Sequence, residues 1–281
     1  MTNILGGVRV VSLAGNLPGP VAAARLTALG ASVTKVEPPS GDALAAAAAE
    51  WYAELTADQQ VLVLDLKAPA DREKLDVELA GADLLITAMR PSALRRLGLA
   101  DAHLTYPGLS HVEIVGYDGE FEELPGHDLN YQAAHGTVQP PTMPTVPIAD
   151  LLGAERSVSA ALLVLLEKTS TGTGGHRRVV LDDAARDAGA AVRHGLMGVG
   201  APLGGAIPTY GIYGSADGYV ALGALEPHFS ARIRDALGIE GTREELERTF
   251  ATRDTAYWEE IGERADIPLT GIRIPTRGDE K

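Results

Sequence analysis

The chain has no cysteine among its 281 residues, only 5% aromatics, and far fewer cations than anions, 24 Lys and Arg against 38 Asp and Glu. Without cysteine there is no disulfide, no thiolate zinc site and no thiol nucleophile. The formal charge of −14 speaks against nucleic acid as a partner, since that contact needs a basic surface to displace counterions. It also sets a local requirement. An anionic ligand must be met by the few Lys and Arg gathered at its site, because the field of the whole protein repels it. No apolar run reaches the roughly 18 residues that cross a bilayer, and the N-terminus lacks the basic-then-apolar pattern of a secretion signal. A cytoplasmic protein with no membrane contact is the expectation. There is no G-x-S-x-G, so serine hydrolysis is not expected, and no H-E-x-x-H or comparable spacing, so no metal is expected.

What is present reads as an α/β protein. "VRVVSLAG" (8–15), "SVTKVEPP" (32–39), "QVLVLDLK" (60–67) and "DLLITAM" (83–89) are short apolar runs with strand character. Between them lie "GPVAAARLTALGA" (19–31), "DALAAAAAEWYAEL" (42–55) and "PADREKLDVELAGA" (69–82), with helical spacing or propensity. Asp42 is placed as the N-cap of the second. Strand and helix in alternation predict a Rossmann-like parallel sheet covered on both faces. A long helix at 154–169, a strand in "HRRVVLDD" and a helix in "AARDAGAAVRHGLMG" follow. "TYGIYGSADGYVALGAL" (209–225) reads as a β-hairpin turning at Ala216, Asp217 and Gly218. Glycines cluster over 195–204, so a large domain over 1–195 and a smaller α+β domain over 196–281 are expected.

A strand, a glycine turn, a helix and an acid at Glu37 imitate a dinucleotide site. The turn, "GNLPGP", has no G-x-G-x-x-G, and Pro18 and Pro20 each remove an N–H that a pyrophosphate would use. Nicotinamide is therefore not expected, and Glu37 is read as a strand-end surface residue. The sharpest candidate for chemistry is His127 in "LPGHDLNYQAAHG", because imidazole exchanges protons near neutrality. It is either a base, with Asp128 or a more distant carboxylate fixing its tautomer, or part of a helix cap. Asp150 in "VPIADLLGA" either caps the helix that follows or does chemistry. Glu226 in "ALGALEPHF" follows the hairpin strand and precedes a proline, and is read as a solvated strand end. His135, two turns after His127, is read as packing, and His194 and His228 carry no motif.

Six segments taken together resemble the family III CoA-transferase superfamily, and within it the α-methylacyl-CoA racemase branch. They are "GVRVVSLAGNLPGPVAAARLTALGASVTKVEPPSGD", "LVLDLKAP", "ADLLITAMRPSALRRLGL", "LPGHDLNYQAAHG", "PIADLLG" and "YGIYGSADGYVALGALEPHF". The resemblance implies a racemase or epimerase inverting the α-carbon of a 2-methyl-branched acyl-CoA thioester. His127 and Asp150 would be the acid–base pair, with Glu226 and Asp128 in support and backbone N–H groups at the helix start near Asp128 stabilising the enolate oxygen. It implies no cofactor beyond the CoA of the substrate, held by Arg90, Lys67 and Lys35, and a homodimer, possibly interlocked. Arg90 alone would otherwise be an ordinary surface arginine after a strand. Two other readings follow from the same residues: a CoA-transferase with Asp150 as covalent nucleophile, and an acid–base isomerase acting on a non-CoA substrate. The last draws on a departure from the pattern. Where the family carries a basic segment before "LDLK", this chain reads "TADQQV" (56–61), with no cation and with Asp58 adding a negative charge. Two further departures are an abbreviated region after Gly238 and a short, proline-rich stretch between His127 and Asp150, which implies a reshaped pocket and an altered dimer interface.

Overall fold

A computed structural model describes residues 3–274. The chain divides into two compact units, Met1–Gly189 and Ala190–Lys281, a boundary slightly before the glycine cluster. The expected second domain runs into residues 275–281, which lie outside the described residues. Among the described residues no helix is long and apolar enough to cross a membrane.

The first unit holds a six-stranded parallel sheet in the order β3-β2-β1-β4-β5-β6. Its strands are β1 (Arg9–Ser12), β2 (Ser32–Glu37), β3 (Gln60–Val63), β4 (Leu84–Thr87), β5 (Ser110–Val115) and β6 (His176–Val180). The crossovers carry α1 (Pro18–Ala28), α2 (Ala43–Ala47), α3 (Ala49–Thr56), α4 (Pro69–Ala80), α5 (Pro91–Arg96), α6 (Ala102–Thr105), α7 (Asp128–Ala134) and α8 (Ile148–Thr171). The helix α9 (Leu181–Ala188) closes the unit. Neighbouring residues on a strand point to opposite faces, and the core obeys this. Val10, Leu84, Ile86, Val112 and Ile114 join one buried cluster, with Leu26 of α1 and Ala161 of α8. Val11 and Leu85 join another, with Leu75 and Leu79 of α4. Both faces are thus covered at the centre of the sheet, which is why β1 and β4 read as short apolar runs.

Several expectations change in detail. The helix expected over 42–55 breaks at Ala48 (φ −148°, ψ 71°). Its alanines bury little, and tertiary anchors override propensity: Leu44 is buried, while Tyr52 turns its hydroxyl to the Glu37 carboxylate. Asp42 does cap the first piece, accepting from Leu44 N–H at 2.9 Å. In "HRRVVLDD" the strand stops at Val180, and Leu181 already opens α9. The strand β5 has no counterpart in the sequence reading, because "SHVEIV" carries His111 and Glu113, yet all of it is buried. His111 reaches the Thr87 hydroxyl at 2.9 Å, and burial, with His176 nearby, lowers its pKa to about 3. Glu113 is held by Arg178 (3.1 Å) and His176 (3.3 Å).

Glu37 is not a surface residue; it is 7% exposed. Lys35 beside it is 1% exposed, with its ammonium 2.7 Å from Asp42 and 3.6 Å from Glu37. It also donates to the carbonyl of Ala14 at 3.3 Å. A lysine so enclosed and neutralised does not present its charge to a phosphate. Its expected anion-binding role is therefore replaced by that of a buried strut under the loop after β1.

The second unit contains α10 (Ala190–Arg193) and an antiparallel sheet β7-β8-β9 made of β7 (Tyr210–Gly214), β8 (Tyr219–Gly223) and β9 (Leu269–Gly271). The helices α11 (Pro227–Leu237), α12 (Arg243–Phe250) and α13 (Thr255–Ala265) share its core with Tyr213, Leu222, Ile233, Phe250 and Trp258. Trp258 buries its ring and donates its indole N–H to the Phe250 carbonyl at 2.8 Å.

The buried strut can be tested directly. Lys35→Met leaves two enclosed carboxylates without their cation, and breaking such a pair from one side costs about 3–5 kcal/mol. Urea unfolding of the variant should show a midpoint lowered to match; an unchanged midpoint would mean the pair carries no stability.

Candidate active site

The sheet order reverses between β1 and β4, and in open α/β sheets ligands bind at the carboxyl ends of the strands flanking that point. A cavity of about 250 Å³ lies there, walled by Asn16 after β1, Arg90 after β4 and Gly116 after β5. Asn16 adopts a left-handed backbone (φ 61°), a conformation asparagine tolerates better than most residues. Its N–H donates to Asp42 at 3.2 Å, so the Lys35–Asp42 pair fixes this wall from behind.

His127 and Asp150 line the same cavity. His127 is the N-cap of α7 in an extended conformation (φ −132°, ψ 171°). Its N–H donates to Asn130 Oδ1 at 3.0 Å, so that group is not the free enolate donor expected at this helix start. Asp150 sits in the first turn of α8.

Asp128 is reassigned. Its Oδ1 accepts from the N–H groups of Ala149 (2.8 Å) and Asp150 (3.1 Å), while its other oxygen accepts from the Gln132 side chain. It caps the long helix from a neighbouring one. The first turn of a helix leaves N–H groups that need such acceptors, and here the acceptor is supplied by the residue after His127. Gln132 completes the clasp by donating to the Val146 carbonyl at 3.0 Å.

The same arrangement tunes Asp150. Burial, with the Asp128 charge adding to it, raises the Asp150 pKa to about 7. The dipole of α8 acts in the opposite sense, but at ~0.3–1 kcal/mol it is worth less than one pKa unit. The carboxyl therefore stands near half-protonation at neutral pH. It can give or take a proton.

The remaining expected residues differ in where they lie. Arg90 is the N-cap of α5, exposed, with no side-chain partner among the described residues, and it borders the cavity. Arg95 is engaged by Glu123 (2.9 Å) and Glu122 (3.6 Å). Lys67 is exposed and borders a separate cavity of about 220 Å³ beside Met89. Glu226 lies in the second unit as the exposed N-cap of α11 and forms no side-chain cap bond. His135 packs as expected and pairs with Asp182 at 2.9 Å. Sequence reasoning missed Asn16, Gly116 and Tyr131 in the cavity wall. For Tyr131 a signal existed: it stands four residues after His127, the spacing that puts two side chains on one helix face.

A parallel sheet of this order, with His127, Asp150 and an Arg90 unpaired among the described residues lining one cavity at its reversal point, defines an α/β protein with a candidate site at the carboxyl ends of its strands. The model of CoA-transferase family III matches residues 5–277, and the chain belongs to that family. It is 30% identical to α-methylacyl-CoA racemase of Mus musculus over 94% of this chain and 71% of that one. It is 28% identical to a succinate–glutarate CoA-transferase of Agrobacterium fabrum over 84% of this chain and 66% of that one. A crystal structure of a CaiB/BaiF family protein from Brucella suis shares the fold, with TM-score 0.83 and 23% identity over 98% of this chain and 85% of that one.

The Asp150 pKa has a signed consequence. A carboxyl raised from 3.8 to about 7 in the folded state favours folding below pH 4 and loses that contribution as pH rises through 7. Asp150→Asn removes the penalty. The variant should therefore be more stable than the parent by about 1–3 kcal/mol at pH 8. That margin should shrink steadily toward pH 5, read as melting temperature against pH. A margin independent of pH would show that Asp150 titrates normally.

Proposed function

We propose that the protein is a racemase or epimerase that inverts the α-carbon of a 2-methyl-branched acyl-CoA thioester through an enolate. The observation that supports this most is the presence of His127 and Asp150 in one cavity, with Asp150 poised near neutrality. A thioester acidifies its α-hydrogen, and inversion needs that proton removed on one face and another delivered on the opposite face. Two carriers in opposite protonation states meet the need. In one direction His127 takes the proton while the Asp150 carboxylic acid delivers one; in the other the Asp150 carboxylate takes it and protonated His127 returns one. A carboxyl with an ordinary pKa would be almost wholly ionised at pH 7 and a poor donor. Arg90, exposed and lining the cavity, would meet a phosphate of the CoA.

A second reading, CoA transfer with Asp150 as covalent nucleophile, is favoured by the likeness to the Agrobacterium transferase. The raised pKa weighs against it, since a protonated carboxyl is a weak nucleophile.

The deciding experiment follows deuterium incorporation at the α-carbon of a 2-methylacyl-CoA in D₂O by mass spectrometry. The parent protein should exchange, and His127→Ala and Asp150→Asn should each slow exchange by about 10²-fold or more. Glu226→Gln in the same assay reports whether the second unit takes part. No exchange at about millimolar thioester would sink the racemase reading, and an acyl mass adduct on intact protein, absent in Asp150→Asn, would replace it with the transferase.

A further inference from the structure

Tyr131 follows His127 by one helical turn on α7 and lines the same cavity. The residue is 2% exposed, its ring held edge-on to Tyr117 with centroids 5.1 Å apart. Its hydroxyl end lies between two glycines of the cavity wall: a Cβ on Gly116 or on Gly126 would overlap the phenol. The backbone has been kept bare at both places where the phenol enters.

A buried hydroxyl almost always has a partner. This one makes no hydrogen bond within the described residues, and it is not among the polar atoms sealed from solvent. It is open to the cavity and unused by the protein. Burial, with Tyr117 and then Asp150 adding, raises its pKa above the ordinary phenol range, so at working pH it is a neutral donor rather than a base. Asp150 and His127, both lining the same space, are the proton carriers of the proposed reaction; neither serves the carbonyl oxygen, where negative charge gathers as the enolate forms.

We infer that the Tyr131 hydroxyl is a catalytic hydrogen-bond donor to the carbonyl oxygen of the bound acyl group. This inference rests on the proton-transfer reading above. A donor aimed where charge develops, in a site that excludes water, stabilises the transition state more than the ground state. No proton leaves the phenol during turnover; the bond it donates shortens as the oxygen becomes anionic and relaxes when the α-carbon is reprotonated. The glycines fit the role, because they let the hydroxyl reach the cavity without tilting the ring out of its packing against Tyr117.

The test is Tyr131→Phe, which keeps the ring and its packing and removes one oxygen atom. With a 2-methylacyl-CoA in D₂O, kcat for α-hydrogen exchange should fall by about 10²-fold, as when one oxyanion donor is removed, with KM and melting temperature little changed. A second readout does not need turnover: the infrared stretch of a ¹³C-labelled thioester carbonyl in the complex. It should lie below its value in solution for the parent protein and return toward that value in Tyr131→Phe. Exchange in the parent with an equal rate and an equal carbonyl frequency in the variant would overturn the role of Tyr131 and leave the racemase reading standing. A Tyr131-dependent carbonyl shift without exchange in the parent would keep the donor and overturn the racemase reading. Failure of the parent to bind the thioester would overturn both.

Discussion

The placement of the site depends on one carboxylate that joins two helix beginnings. Asp128 directly follows His127 at the start of α7, and it accepts from the N–H groups of Ala149 and Asp150 at the start of α8. A cap of this kind is worth only about 0.5–2 kcal/mol, a small term beside the apolar core. Its geometric effect is larger than its energy. By holding the first turn of α8 against the first turn of α7, it fixes two groups 23 positions apart in the chain (127 and 150) on one cavity. Because the clasp is charged, it also pushes the Asp150 proton affinity upward. An asparagine could hold the N–H groups; it would not supply that field.

The wall contributed by the loop after β1 depends on a second buried arrangement of charge. Lys35, Asp42 and Glu37 cluster beneath it, and two of their bonds go to loop backbone, at Ala14 and Asn16. Burying charged groups is costly, and pairing recovers the cost only with good geometry. Its return here is positional: a loop holding a left-handed residue is given one conformation. With Lys35 spent in this way and Arg95 neutralised by Glu122 and Glu123, Arg90 stands as the cavity-lining cation without a partner among the described residues. In a chain of net charge −14, an anionic handle of the proposed substrate would therefore depend on very few side chains.

Much of the fold was legible because parallel strands covered on both faces leave apolar runs that need no partner to be recognised. β1 and β4 announce themselves so. β5 does not, since His111 and Glu113 look like surface residues until Thr87, His176 and Arg178 are seen to satisfy them. The same blindness to distant partners affected single residues. Lys35 read as a ligand cation because Asp42 and Glu37 are drawn over it only by the fold, and Asp128 read as a companion of its neighbour His127 because the N–H groups it caps lie on another helix. Tyr131 was available from its spacing and went unread because a tyrosine on an apolar helix face is ordinarily core. Its meaning comes from Gly116, in the loop after β5.

The long helix α8 carries Asp150 on a closely packed face. Its inward face is built of Gly153, Ala154, Ser157, Ala160 and Ala161, and a side chain at Gly153 would overlap Leu181. The start of α8 thus packs closely against the start of α9. The segment that includes Glu122, Leu124 and Pro125 borders the same cavity and is fastened chiefly by surface pairs, Glu123 to Ser92 and Arg95. Over evolutionary time the two parts are free to change at different rates. The spacing of His127 and Asp150 goes with the helix packing, while substitutions in the fastened loop can reshape the cavity wall without moving that pair.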